Sequence, residues 1–499
     1  MESTYKLSAA ARVAIPFSIA AITFLIVGII RRIYFHPLSH IPGPLLAKIS
    51  NYPYSRDFLS GRQPWRMLAL HEKYGPVVRV SPNEVSFASA QSWQDIYAPR
   101  KGGEFLKSDW YENGSFGVHA IVSVRDPVEH AQMRKYLSRA FSEASLRDQE
   151  DMITDLIAKY VDGVGKTAKA EGVVNLTDWH NFLTFDIIGL LAFGKSFGGV
   201  ESGKEHFWLS DVMGSIGHSN VMDTLKRFPW LGAVYLFFNK SWLKGVVEVA
   251  NRHVSYTTKV MEERLSEKTD RKDFMHYLLR DHPQDDDSEK FRLQMTGHAA
   301  DLVVAGSETT ATTLSVVVHY LLEKPAVFKT VTEEILGRFE KEEDINATTA
   351  APLKYLHAVC LEALRIFPPL PIGPPRNAPP EGAVVDGISI PGGTIVSTSP
   401  CAASMSPKNF HNPTEFIPER WLGENKDDIL EATQPFSLGK RGCIGRNMAW
   451  LELHITLARL IFRYEIEREG QLDWIEATPM HLFWHKPNLM VRVKERIRK

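Results

Sequence analysis

Cys443 stands in the run FSLGKRGCIG, residues 436–445, with Gly439, Gly442 and Gly445 around it and Lys440 and Arg441 before it. Glycines at that spacing permit a tight loop whose backbone can pass close to something flat. The following RNMAWLELHITLARLIF carries apolar residues at helical spacing, so the loop feeds a helix N-terminus. Amide N–H groups and the helix dipole at such a terminus stabilise a thiolate. The chain has three cysteines, Cys360, Cys401 and Cys443, and no C-x-x-C pair, which argues against a disulfide framework and a structural zinc site. A glycine-flanked cysteine also fits a plain turn, and a lone buried one usually acts as a small hydrophobe. A single thiolate without a second ligand at metal spacing suits one axial bond to haem iron. Arg441 beside it can pair with a haem propionate.

Two other constellations carry chemistry-bearing residues. In YLHAVCLEALRIFPP, Glu362 and Arg365 are three apart and share a helix face. An exposed pair there is worth little. Their neighbours Leu361, Ala363, Leu364 and Ile366 are apolar, however, and buried charges must be completely paired. In DLVVAGSETTATTLSVVVHYLLEKP, residues 301–325, apolar residues surround a small and polar centre holding Gly306, Ser307, Glu308, Thr309 and Thr310. Propensity alone disfavours that centre inside a helix, and a surface helix with hydroxyls toward water is the simple alternative.

The elements that must position these residues read as mostly helical. YGPVVRVSPNEVSFAS alternates and reads as a hairpin, with Gly75-Pro76 and Pro82-Asn83 as turn signals. From about Pro127 to Leu322 the pattern is helical, broken near Pro229 and by an acidic run over 281–290 that reads as a solvated loop. VVDGISIPGGTIVST returns to strands around Pro391-Gly392-Gly393. The chain has 499 residues, 44% hydrophobic, with a net charge of -1, which indicates a large core and neither a disordered chain nor a basic nucleic-acid binder. No repeat or linker divides the body.

Uncharged VAIPFSIAAITFLIVGII, residues 13–30, is about 27 Å long as a helix, the hydrocarbon thickness of an endoplasmic-reticulum bilayer. Arg31 and Arg32 directly after it, without a small-x-small cleavage site, favour an uncleaved anchor with the body on the cytosolic side. Pro37, Pro42 and Pro44 then forbid a continuous helix and give a stiff connector. The expected organisation is a lumenal 1–12, a transmembrane 13–30, a proline-rich hinge 31–50 and a catalytic body 51–499. On that topology the sequons at Asn113, Asn175, Asn239 and Asn346 never meet the glycosylation machinery.

FSLGKRGCIG resembles the haem-binding signature F-x-x-G-x-R-x-C-x-G of the cytochromes P-450, with Phe436, Gly439, Arg441, Cys443 and Gly445 at its fixed positions. Glu362 and Arg365 match that family's E-x-x-R, and FIPERW supplies its later arginine as Arg420. AGSETT matches [AG]-G-x-[DE]-T-[TS]. RDPVEHAQMRK places Arg134 where the family keeps a propionate-binding arginine, with His130 where a tryptophan is usual. Imidazole can also donate to a carboxylate. Arg376, in PIGPPRNAP, falls where the family often keeps another propionate partner. HEKYGPVVRVSPNEVSF together with DPVEHAQMRK resembles fungal secondary-metabolism members, including relatives of trichothecene (isotrichodermin-type) hydroxylases.

The resemblance implies a mainly α fold with a minor β component, the P-450 fold, and haem b bound through Cys443. It implies that Glu308 relays protons, that Thr309 hydrogen-bonds dioxygen, and that Ala305 and Gly306 leave room for oxygen and substrate. Glu362, Arg365 and Arg420 would brace the cysteine loop. The pocket would be walled by Phe116, Val118, Val304, Ala305, Leu370 and Ile372. Implied partners are NADPH–cytochrome P-450 reductase, with cytochrome b5 as a second donor, docking near Lys440 and Arg446. The implied reaction is monooxygenation of a lipophilic terpenoid or polyketide intermediate. Two competing classes are a haem-thiolate isomerase or dehydratase, which usually lacks the acid–alcohol pair, and a non-catalytic haem or lipid binder.

Overall fold

The computed structural model describes residues 9–100, 103–112, 117–267, 269, 271–280, 289–423, 426–470, 474 and 478–497. A helix over Ala9–Tyr34 opens it. Its stretch Ile15–Tyr34 is 20 residues long, has a mean hydropathy of 1.8 and contains no buried residue. At about 1.5 Å per residue it is long enough to cross a bilayer. The helix does not stop at Arg31 and Arg32 but carries both into its last turn.

The prolines after it break the helix as expected, and a residue the sequence did not single out holds the connector. Arg79, fully buried in the strand Val77–Ser81, donates from Nη1 to the Arg32 carbonyl (3.1 Å) and from Nη2 to that of Pro82 (2.7 Å). Its own amide donates to the Pro42 carbonyl (2.7 Å). Gly43 lies so close that a Cβ there would collide with the Arg79 carbonyl, which explains the glycine between two prolines.

The hairpin forms where the turn signals place it, Val77–Ser81 antiparallel to Glu84–Phe87. It extends into a five-stranded sheet: Ile395–Thr398 joins parallel to Glu84–Phe87, Arg376–Asn377 pairs with Ile395–Thr398, and Leu106–Lys107 closes the edge. In that last pair Lys107 faces Arg376. The sheet thus gathers segments from three distant parts of the sequence.

Helices make the rest of the core. The 35-residue helix Glu289–Glu323 is buried along most of its length and runs against the helix Leu176–Phe193. The two approach at Gly306, where a Cβ would lie 3.0 Å from Ile188 Cδ1. Pro325 starts the next helix, Pro325–Arg338. A three-stranded sheet places Met490–Glu495 between Val174–Asn175 and Tyr464–Arg468. It draws the C-terminal segment over the central helices, with Thr177 Oγ1 donating to the Pro487 carbonyl (2.8 Å).

Candidate active site

Cys443 sits on a loop closed by its own backbone, its amide donating to the Phe436 carbonyl (2.8 Å) and that of Gly442 to Gly439 (3.0 Å). Of the three glycines, only Gly439 has a left-handed backbone, φ 67°, and a Cβ there would strike the Tyr97 carbonyl. Gly445 is the N-cap of the helix Arg446–Arg463, as the apolar spacing predicts. Burial pushes the Cys443 thiol up, while the Gly445 amide and the charges of Arg134 and Arg446 pull it down. Cys443 is nevertheless exposed, unlike the chain's other two cysteines. Cys360 and Cys401 are sealed in the core, and burial pushes the Cys401 thiol up to about 12.

Cations crowd beside this loop. Arg441 donates to the carbonyls of Val124 and Arg125 (both 2.8 Å), Arg134 to that of Gly442 (2.8 Å). Arg376 is buried over the Tyr97 ring, 5.3 Å from its centre. His130 is buried too, held down to about 3 by burial, then by Arg441, Lys107, Arg134 and Arg376. Sequence reasoning missed Lys107, because its role comes from strand pairing with Arg376 and not from any local motif. Burial, then Arg441 and Arg376, press it down to about 6, against the pull of Asp301. Among the described residues no carboxylate lies within salt-bridge distance of Lys107, Arg134, Arg376 or Arg441. Like charges brought together in a low-dielectric site repel strongly. The arrangement therefore suits an anionic group.

On the central helix, Thr309 Oγ1 donates to the Ala305 carbonyl (2.6 Å), so both lie on one face, and Ala305 is exposed between half-buried Val304 and Gly306. Gly306 does not make room for a ligand, contrary to the expectation above: its missing side chain lets the neighbouring helix approach at Ile188. Glu308 forms an ion pair with Lys486, both side chains nearly buried, and Thr312 Oγ1 lies 3.4 Å from its Oε1. Lys486 carried no sequence signal; the C-terminal sheet delivers it.

The Glu362 network is complete and fully buried. Arg365 donates to both Glu362 oxygens (2.8 Å each) and Arg420 Nε to Oε1 (3.1 Å). Two unforeseen members complete it: Trp421 Nε1 donates to Oε2 (2.9 Å), and Asp428 pairs with Arg420. Arg365 also holds the carbonyls of Ser404 and Pro413 (2.7 Å each), so it ties down the segment leading to the cysteine loop.

Of the expected pocket walls, Ile372 is buried and lines a cavity of about 360 Å³, Val304 and Val118 are half-buried, and Leu370 is more open. Phe116 and Asn113 lie outside the described residues, as does 281–288 of the acidic run. Arg446 is exposed with its guanidinium over Phe436, and exposed Lys440 pairs with Glu104.

The family model described as Cytochrome P450 matches residues 42–493. The chain belongs to the cytochrome P450 family. It is 46% identical to cytochrome P450 monooxygenase ORF11 of Penicillium roqueforti, over 87% of this chain and 90% of that protein. It is 37% identical to cytochrome P450 monooxygenase BipB of Cochliobolus sativus, over 93% and 94%. The crystal structure of the cytochrome P450DA heme domain superposes with a TM-score of 0.77 at 18% identity, covering 92% of this chain and 98% of that one, which shows the same fold. This P450 is thus an oxidoreductase, a monooxygenase that takes electrons from a redox partner and carries haem b on a cysteine thiolate. The residues present fit that cofactor: an accessible cysteine on a loop too tight for a side chain at residue 439, and beside it a cluster of cations suited to carboxylates.

Proposed function

We propose that this P450 is a membrane-anchored monooxygenase that oxidises a lipophilic fungal secondary metabolite, a terpenoid or polyketide intermediate. The observation that carries the site assignment is Cys443, the one cysteine of the chain with an open side, next to the buried cations. In this reading Cys443 supplies the axial thiolate. Lys107, Arg134, Arg376, Arg441 and His130 hold the propionates. Haem b, when bound, supplies reductive activation of dioxygen for insertion of one oxygen atom into substrate. The apolar span at 15–34 is the anchor, with the body on the cytosolic face of the endoplasmic reticulum, where NADPH–cytochrome P-450 reductase reaches the face carrying Arg446. Assay of reductase-supplemented microsomes with candidate fungal metabolites tests the activity; no oxidised product from any terpenoid or polyketide would remove this substrate class.

Thr309 is the proton-positioning hydroxyl. Its donation to Ala305 leaves the oxygen lone pairs toward the open face, and rotation of the hydroxyl aims its proton there. Glu308 exchanges protons through Lys486 and Thr312. Thr309→Ala should keep haem yet lose roughly a hundredfold in productive turnover, the lower end of a positioned proton donor's contribution. The missing electrons should appear as peroxide per NADPH consumed. Unchanged coupling would remove Thr309 from proton delivery.

Lys107 gives a pH signature. Pressed down to about 6 by burial and by Arg441 and Arg376, it gains a proton when two carboxylates settle beside it. Proton uptake linked to binding means tighter binding at lower pH, over the window between about 6 and the ordinary lysine range. Haem transfer to excess apomyoglobin should therefore quicken as pH rises through that window. Lys107→Met should flatten the dependence; an unaltered pH profile in that variant would dismiss the linkage.

A further inference from the structure

Two histidines meet where the helix of the Glu362 brace passes the helix that leaves the Cys443 loop. His357 belongs to the helix Lys354–Ile366 and His454 to the helix Arg446–Arg463. Their facing nitrogens, His357 Nδ1 and His454 Nε2, are 3.2 Å apart. Both side chains line a cavity of about 820 Å³ that Glu150 and Asn447 also border. His454 is buried and His357 half-buried, so the pair is approached from the His357 side.

Trp450 fixes both rings. His454 stacks on the indole at 27°, 5.5 Å between centres, and the His357 ring lies 4.2 Å from the same indole. Rings held this way serve either as a plain hydrogen bond, one N–H donating to the other nitrogen, or as a pair of metal ligands. Tetrahedral zinc holds imidazole nitrogens at about 2.0–2.1 Å, which sets two of them about 3.3 Å apart. The observed spacing fits both uses, and the surroundings favour the ion. Burial lowers His454 to about 4; burial and then Arg446 lower His357 as well, so both rings are neutral at neutral pH, as ligation requires. A hydrogen bond needs no space beside it, whereas this pair borders a cavity. Glu150 Oε1 accepts from the Ala347 amide (2.7 Å), and among the described residues no hydrogen bond or ion pair engages its Oε2. Arg147 and Lys354, the cations lining the cavity, are exposed, and water screens their charge.

We propose that His357 and His454 form a two-histidine site for a divalent transition-metal ion, zinc by its spacing, which clips the helix of the Glu362 brace to the helix behind the Cys443 loop. In the metal-free pair one ring's N–H points at the other ring. Moving that proton to the far nitrogen of its own ring frees both lone pairs and charges neither imidazole. No group of three side-chain ligands stands together among the described residues, so water fills the ion's remaining positions. Glu150 is placed to accept from such a water, as outer partners of metal sites do. With two protein ligands the ion is exchangeable, unlike one in a closed four-ligand site. The site stands apart from the haem assignment and needs only the two helices in register.

Calorimetric titration of the chelator-stripped, full-length holoenzyme with Zn2+ tests this. The wild type should bind one Zn2+ roughly a hundredfold more tightly than His357→Gln or His454→Gln, the upper end of what losing even an outer partner of a ligand costs. Saturating Zn2+ should raise the unfolding midpoint of the wild type and not that of either variant, because the ion binds only where the folded helices meet. His485→Gln, at an exposed histidine outside the cavity, is the control and should bind as the wild type does. His357→Gln, at the less buried partner, decides the matter if His454→Gln fails to fold. Folded variants that bind Zn2+ as tightly as the wild type, or a wild-type midpoint that zinc leaves unmoved, overturn the site and leave a hydrogen-bonded pair.

Discussion

Cys443→Ser should abolish the family's carbon-monoxide signature and reduce turnover to background. A serine hydroxyl remains protonated at neutral pH, so the substitution removes the anionic donor while leaving the loop's shape nearly intact. The loop is closed by backbone bonds, the Cys443 amide to Phe436 and the Gly442 amide to Gly439, and neither involves the sulfur. The variant should therefore fold, bind some haem through the cation cluster, and show a carbon-monoxide complex shifted away from the thiolate position. Cys360→Ser and Cys401→Ser are the controls. Both residues are sealed in the core, and either change should leave the signature in place at some cost in stability. If Cys443→Ser kept the signature, or a control lost it in a folded protein, the thiolate would belong elsewhere.

The second large effect is expected at Glu362. Its Oε1 accepts from Arg365 Nη2, Arg420 Nε and the Ile417 amide, and its Oε2 from Arg365 Nε and Trp421 Nε1. Glutamine has the same shape but must turn an NH2 toward one of these sets of donors. It also leaves two fully buried guanidiniums with Asp428 as their remaining carboxylate in the network. Breaking a buried pair from one side costs about 3–5 kcal/mol, a large part of the roughly 5–15 kcal/mol that holds a folded protein together. Because Arg365 also grips the Ser404 and Pro413 carbonyls, the loss falls on the segment that feeds the cysteine loop. Glu362→Gln should thus purify without haem, with a lowered unfolding midpoint. Normal haem content per protein would show that the network does not support the cofactor site.

Much of the site was legible because its residues act within one turn or one loop. The E-x-x-R spacing fixes a shared helix face, and FSLGKRGCIG fixes its own backbone bonds. The mainly helical fold and the apolar span likewise follow from local periodicity. Other members could not be read this way. Gly306 looked like room for a ligand, but the neighbouring helix fills that side, since which face of a buried helix meets a neighbour depends on packing. Asp428 and Trp421 joined the Glu362 network with no motif of their own.

The chain's own order of residues determined the kind of chemistry: a lone cysteine in a glycine-rich loop, a brace of buried charges, and an acid beside an alcohol in a helix. Tertiary structure alone decided what surrounds them. Lys107 enters the cation cluster through a strand pair with Arg376, Lys486 meets Glu308 through the C-terminal sheet, and His454 faces His357 from another helix. The reason is physical. Local spacing sets backbone conformation and which side chains share a face, whereas the field around a charge depends on residues hundreds of positions away that only folding brings within a few ångströms.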